Sequence, residues 1–388
     1  MEEKFPLSSA ASRSQVEPGP TQDWLGENEK VTVATPRQLM WWKFKRHKLG
    51  VASLIFLVIA YLIALLADFI VPFAANTRTE YLNMPPETIR FVDANGQFHL
   101  IPFVYGIQQT RDMATLAYVY TENPDEIYPI QFLVHGDSYK FWGLFETDLH
   151  LFGVEDRGIY LAGTDTLGRD MLSRLFFGAR ISLSVGLISV VLTLVLGLVI
   201  GGISGLYGGW IDNIIQRVIE AIISIPNIPL WMGLAAAIPI TWSPVAQYTA
   251  ILVVLSLIGW TSVARIARGK FLSTREQDFV MAAQIYGCSQ WRIITQHLIP
   301  TFMSFIIVRV TLDIPRIIIA ETALSFLGIG LREPTVSWGV LLQAAQKFQV
   351  VALTPWLWVG PAVCIVVVVL AFNFVGDAAR DAADPFAR

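Results

Sequence analysis

From Ala221 to Ala264 the chain carries no charged side chain over 44 residues. Soluble domains carry about 25% charged residues, so a water-facing stretch of that length would hold about ten. A helix crosses a bilayer with about 20 apolar residues, and this run is too long for one crossing. Pro239, Thr241, Ser243 and Pro244 interrupt it, so two helices joined by a short turn are expected. The whole chain agrees: of 388 residues 54% are hydrophobic and only 15% charged, with mean hydropathy +0.53. A polytopic membrane protein is expected. The formal net charge of −3 speaks against a strongly basic nucleic-acid binder. Two cysteines, Cys288 and Cys364, exclude a framework of several disulfides.

Further uncharged runs extend from Leu49 to Ala67, from Ile181 to Ile211 and from Val359 to Val375. The segment Thr301 to Leu324 is apolar except for Arg309, Asp313, Arg316 and Glu321. Counting it, six spans are expected. The first run is not expected to be a signal peptide, since 48 residues precede it. Residues 1–40, rich at their start in Ser, Pro, Glu and Gln, are expected to form a disordered cytoplasmic tail. Segment 41–72 holds the basic approach and the first span. Lys43, Lys45, Arg46 and Lys48 stand directly before that span, which places the N-terminus in the cytoplasm. The following loop, 73–174, carries 7 basic and 14 acidic residues and falls outside. The loop 265–300 is then inside, with Arg265, Arg268, Lys270, Arg275 and Arg292. Six spans return the C-terminus to the cytoplasm.

Segment 73–174 is long enough for a small subdomain of mixed or β character. Ile89–Val92, Phe98–Val104 and Ile130–Val134 read as short strands, and Asp93-Ala94-Asn95-Gly96 reads as a hairpin turn. It either caps the outer mouth or docks a substrate-delivery protein through its excess acid. In 265–300, Phe279–Tyr286 reads as a short helix ended by Gly287, and Trp291–Leu298 as a second one closed by Pro300. Such an elbow can lie on lipid headgroups. Its adjacent Ala282 and Ala283 fit insertion into a protein groove better.

At this point the residues match a known pattern. Met281-Ala282-Ala283, then Gly287, then His297-Leu298-Ile299-Pro300 resembles the EAA loop of ABC importer permeases, with Met281 in place of the Glu. Gly163-Thr164-Asp165-Thr166-Leu167-Gly168-Arg169-Asp170, continuing through Ser173-Arg174 and Gly178-Ala179-Arg180, resembles the approach to the second span in the C-type permease of oligopeptide/dipeptide importers. Tyr207-Gly208-Gly209-Trp210, Leu324-Ser325-Phe326-Leu327-Gly328-Ile329-Gly330 with Ser337-Trp338-Gly339, and Ala371-Phe372-Asn373-Phe374 with Asp384-Pro385 follow in family order. The resemblance runs from about Gln38 to the end, with 175–388 as the permease core. Residues 73–150 exceed what common members carry, and resemble a subset whose substrates include peptides and oligosaccharides.

The resemblance implies a type I importer permease fold of six transmembrane helices in the bacterial inner membrane. It implies four kinds of partner: a paralogous permease, two ABC ATPase subunits, a substrate-binding protein and the bilayer. No Gly-x-x-x-x-Gly-Lys-Ser/Thr occurs, so this chain is expected to bind no cofactor itself and to be no enzyme. ATP and Mg²⁺ belong to the partner subunits. Asp278, Met281, Ala282, Ala283, Gly287 and Trp291 are expected to dock in an ATPase groove. No His-Glu-x-x-His and no nucleophile–base arrangement supports a membrane hydrolase. The implied cargo is oligopeptide, with oligosaccharide or another small solute as the alternative.

Two charge clusters remain. Asp165, Arg169 and Asp170 read as an ion-pair lattice at the outer mouth rather than as substrate contacts. Arg309, Asp313 and Arg316, spaced by four and three, share one helix face. Each costs about 3 kcal/mol at mid-bilayer. They form either an internally neutralised network or a stripe along the translocation path, with Pro315 as a candidate kink. Glu321 lies off that face.

Overall fold

The computed structural model describes residues 36–113, 118–141, 143–154 and 157–383. Of the tail expected at 1–40, residues 1–35 lie outside them, as does the motif at Asp384-Pro385, whereas 36–40 are not disordered but form the first turns of a helix that runs on to Arg46.

Helices α1 (Pro36–Arg46) and α2 (Lys48–Leu65) precede a β-rich insertion. Then come α3 (Met171–Tyr207), α4 (Gly209–Ile223), α5 (Asn227–Ala236), α6 (Pro244–Thr274) and α7 (Asp278–Ile285). Next are α8 (Met303–Phe326), α9 (Trp338–Leu342), α10 (Phe348–Leu353) and α11 (Trp356–Ala383). Among the described residues four helices are long and apolar enough to cross a membrane: α2, α3, α6 and α11. A fifth crossing counts if α4 and α5 make one span, but they meet at 86°. The uncharged run therefore does not divide at Pro239 alone. Pro226, without an N–H to continue a helix, separates α4 from α5. The four charges of α8 keep it out of a count based on apolarity.

The bundle closes by glycine contact. A Cβ at Gly201 would stand 2.4 Å from the Ala264 carbonyl oxygen, so only glycine lets α3 and α6 approach this closely. α8 packs on α3 and α11, and α2 packs on α11. Asp170 caps α3 by accepting from Ser173 N at 2.7 Å. Ser243 caps α6 ahead of Pro244. At the Tyr207–Trp210 turn, Gly208 and Gly209 take φ of +63° and +58°. There Arg268 grips Asp212 with two bonds of 2.5 Å, tying the turn to α6.

In the insertion, β1 (Arg90–Val92), β2 (Phe98–Arg111) and β3 (Tyr118–Pro129) form an antiparallel sheet in that order. The hairpin at Asp93–Gly96 is present, with Gly96 at φ +81°. β4 (Gln131–Phe141) and β5 (Phe145–Gly153) form a separate pair. Strands β2 and β4 run well beyond the short segments expected. Val104, Ile130 and Ile159 form a small core beneath them. Backbone bonds Thr79 N to Gly168 O (3.0 Å) and Asn83 N to Asp165 O (2.9 Å) anchor the insertion against the start of α3. The bundle thus has an insertion end and, about 55 Å along α3 at 1.5 Å per residue, an elbow end.

Candidate functional site

At the elbow end, α7 stops where expected. Gly287 takes φ +75°, and Cys288 N donates to Ala283 O at 3.0 Å. That six-to-one closure with a left-handed residue is how glycine terminates a helix. Val280 and Ala283 face inward, with Phe271, Ile293, Leu298 and Phe302 around them. The rings of Phe271 and Phe302 meet edge-on at 5.4 Å. Ala283 is therefore part of the elbow's own core and not of an outward face shared with Ala282, because adjacent helical positions lie about 100° apart. Asp278, Met281, Ala282, Gly287 and Trp291 are exposed. So are Ile285 and Tyr286, at 85% and 88%. Sequence reading left these two out, although each is a large apolar residue beside the glycine. A cluster of such side chains in water marks an interaction surface.

The second arm also differs from expectation. Gln290–Arg292 is helical, Ile293–Leu298 is a π-helical turn, and Ile299–Thr301 is helical again. Pro300 sits in the first turn of the last piece, where its missing N–H costs nothing, so it opens a turn rather than closing a helix. The break falls at Phe302.

On α8, Arg309 Nε lies 2.6 Å from Asp313 Oδ2 and Arg316 Nη1 lies 3.3 Å from Asp313 Oδ1. Arg309 also donates to Ser262 Oγ on α6 at 2.9 Å. The network exists, yet Arg316 stays two-thirds exposed. Arg309, Phe305 and Leu312 line a cavity of about 1320 Å³ that Lys43, Lys270, Arg380 and Asp381 also border. Pro315 stands inside α8 without ending it. Glu321, fully buried off the stripe, accepts from Ser325 and Ser337 at 2.8 Å each and from Ser182 at 3.4 Å.

At the insertion end, Asp165 Oδ2 pairs with Arg169 at 2.7 Å. Two residues outside the expected cluster complete the lattice. Glu333 Oε1 accepts from Arg169 at 2.8 Å and from Arg174 at 2.9 Å. Arg174 is 2% exposed. Burial raises the Glu333 carboxyl, but the bonds from the two arginines outweigh it and hold it below its ordinary value. Asp170 makes no ion pair within the described residues. It is a helix cap, and burial pushes its carboxyl up to about 6 against the bonds from Ser173. Among the described residues no group of three or more His, Cys, Asp or Glu stands where it could hold a metal ion.

Residues 197–388 match the family described as binding-protein-dependent transport system inner membrane component. Residues 35–86 match the N-terminal TM domain of oligopeptide transport permease C. The chain is similar to the oligopeptide transport system permease protein OppC of Salmonella typhimurium, 40% identical over 224 residues, which is 58% of this chain and 71% of that protein. For OppC of Escherichia coli the identity is 39% over 224 residues, 58% and 71% of the two chains. For OppC of Bacillus subtilis it is 36% over 223 residues, 58% and 70%. The chain belongs to the family of binding-protein-dependent transport system inner membrane components. It is a multi-pass membrane permease subunit, not an enzyme. The two family segments of this permease leave 87–196 outside both, and all five strands lie there. The elbow, the α8 stripe and Glu333 fall inside the longer one. Arg169 and Arg174 do not, although they hold Glu333.

Proposed function

We propose that this permease subunit imports oligopeptides, as half of a pore completed by a paralogous permease. A binding protein delivers the cargo and two ABC ATPase subunits drive the cycle. The names of the similar OppC proteins support peptide over oligosaccharide. In this reading both termini are cytoplasmic. The six spans are α2, α3, the bent pair α4–α5, α6, α8 and α11. The β insertion, within 73–174, faces the periplasm, and the core of 175–388 spans the membrane behind the entry helix of 41–72.

The elbow is the coupling loop. Met281, Ala282, Ile285, Tyr286 and Trp291 enter an ATPase groove, Asp278 and Gly287 shape the approach, and Ala283 holds the elbow on its core. Nucleotide closes the ATPases, the elbow follows, and the helices rock between two states. The α8 stripe Arg309–Asp313–Arg316 faces the path. The place of Arg309 in the lining of the 1320 Å³ cavity supports that reading for the first of the three residues. Asp165 and Arg169, with the cap Asp170, hold the outer mouth.

The exposed apolar elbow carries the proposal, since its sharp turn and apolar face fit a protein groove better than a headgroup layer. The test is uptake of a labelled oligopeptide by cells that express the chain with its partner subunits. Uptake is expected, and it is expected to stop when the phosphate-loop lysine of the ATPases is replaced. Uptake that survives that replacement contradicts active import.

A further inference from the structure

The insertion end holds a recess that lattice formation alone does not account for. Its volume is about 330 Å³, and Asp165, Arg169, Arg174, Glu333, Gln343 and Lys347 border it. Clefts that take small ligands begin at about 300 Å³.

Arg174 is buried to 98%, yet its Nε and Nη1 make no hydrogen bond among the described residues. Nη1 has only Asp165 Oδ2 at 3.5 Å. A guanidinium offers five donors in a planar fork suited to two carboxylate oxygens. Here the carboxylate facing both arginines is Glu333, and its Oε1 takes both bonds. The Glu333 side chain is 46% exposed, against 9% for Arg169 and 2% for Arg174. The buried partners are therefore the cations, and the solvent-facing partner is the acid. Three cations (Arg169, Arg174, Lys347) border the recess with two carboxylates (Asp165, Glu333), which leaves one positive charge. One further carboxylate neutralises it.

We propose that this recess takes the C-terminal carboxylate of a peptide substrate, which replaces Glu333 against Arg169 and Arg174 while Lys347 holds the rim. The inference rests on the oligopeptide reading above. A chain terminus fits a recess better than a side chain on a folded partner does, because it enters end-on with its last residue against the apolar wall of Met171, Leu341 and Leu357. Glu333, already half in water, can turn outward because the incoming carboxylate takes over its bonds from Arg169 and Arg174, so the two buried cations stay paired throughout the exchange.

The assembled transporter, reconstituted in lipid nanodiscs without its binding protein, is probed with trialanine and with trialanine C-terminal amide. The acid is expected to bind about tenfold more tightly than the amide, the scale of one charge-assisted bond. Glu333→Gln removes the internal competitor and is expected to tighten acid binding without changing amide binding. Lys347→Gln, at the exposed rim, is expected to reduce the acid preference several-fold without disturbing assembly. Equal binding of acid and amide by the wild type overturns the proposal. So does a preference that appears only once the binding protein is added, or one unchanged in both variants. ATP-driven uptake separates the two readings. Trialanine uptake without acid preference keeps the peptide function and removes the recess, while an assembled transporter that takes up no peptide removes both.

Discussion

The two ends of the α3–α6–α8 bundle solve opposite problems. At the elbow end the chain buries Val280 and Ala283 and leaves Ile285, Tyr286 and Trp291 in water. At the insertion end it buries Arg174 and Asp170 and leaves Glu333 half exposed. An apolar knob is held by whatever covers it, without regard to direction, so it suits a rigid hand-off of motion. A lattice of ion pairs is directional, and one carboxylate in it can be exchanged for another. One end of this permease thus offers exposed apolar area, and the opposite end is held together by charge.

The largest expected effect breaks the elbow. Gly287→Pro replaces φ +75° by proline's fixed value near −65°, so the helix termination is lost. ATP-driven uptake should fall to background while the protein stays in the membrane. Gly287→Ala should be far milder, about 1 kcal/mol of local strain, because a Cβ there meets no atom within 4 Å. Ala283→Trp should unfold the elbow rather than block its face, and limited proteolysis of 275–302 would report it.

Next comes the lattice. Arg174→Met leaves Asp165 and Glu333 without that cation, and breaking a buried pair costs about 3–5 kcal/mol. A lower melting temperature of the detergent-solubilised permease checks this. Arg309→Leu should change uptake several-fold with assembly intact, because Asp313 keeps Arg316. Unchanged uptake with normal assembly would place the stripe in structure alone.

The smallest effect is a pH dependence with two signs. Asp170, raised from 3.8 to about 6, gives stability that is fully present below 3.8 and is lost as pH rises from there through about 6. Glu333, lowered from 4.5, stabilises when ionised, and that is lost as pH falls below 4.5. The melting temperature should therefore be highest at about pH 4, between the two ordinary values of 3.8 and 4.5, and fall from there to about pH 6. Asp170→Asn, which can still cap α3, should flatten the fall between about pH 4 and 6.

Much of this was legible in the chain, for identifiable reasons. Uncharged runs betray α2, α3, α6 and α11, because lipid tolerates few charges. Gly287 reads correctly since a left-handed residue has few other candidates. The α4–α5 bend stayed hidden because hydropathy does not register Pro226 within an apolar run. Glu333 was missed because its partners Arg169 and Arg174 lie 164 and 159 residues away in sequence. The burial of Ala283 is not legible in the sequence because it depends on Phe271 and Phe302, which only the folded chain brings beside it.

The central claim is that the exposed elbow couples this permease to its ATPases. Co-purification of the ATPase subunits with Tyr286→Asp, in intact assembled membranes, tests it most directly. A charge on that apolar face should strip the ATPases from the complex and abolish uptake, with the paralogous permease still bound. Full retention of the ATPases together with wild-type uptake would contradict the account.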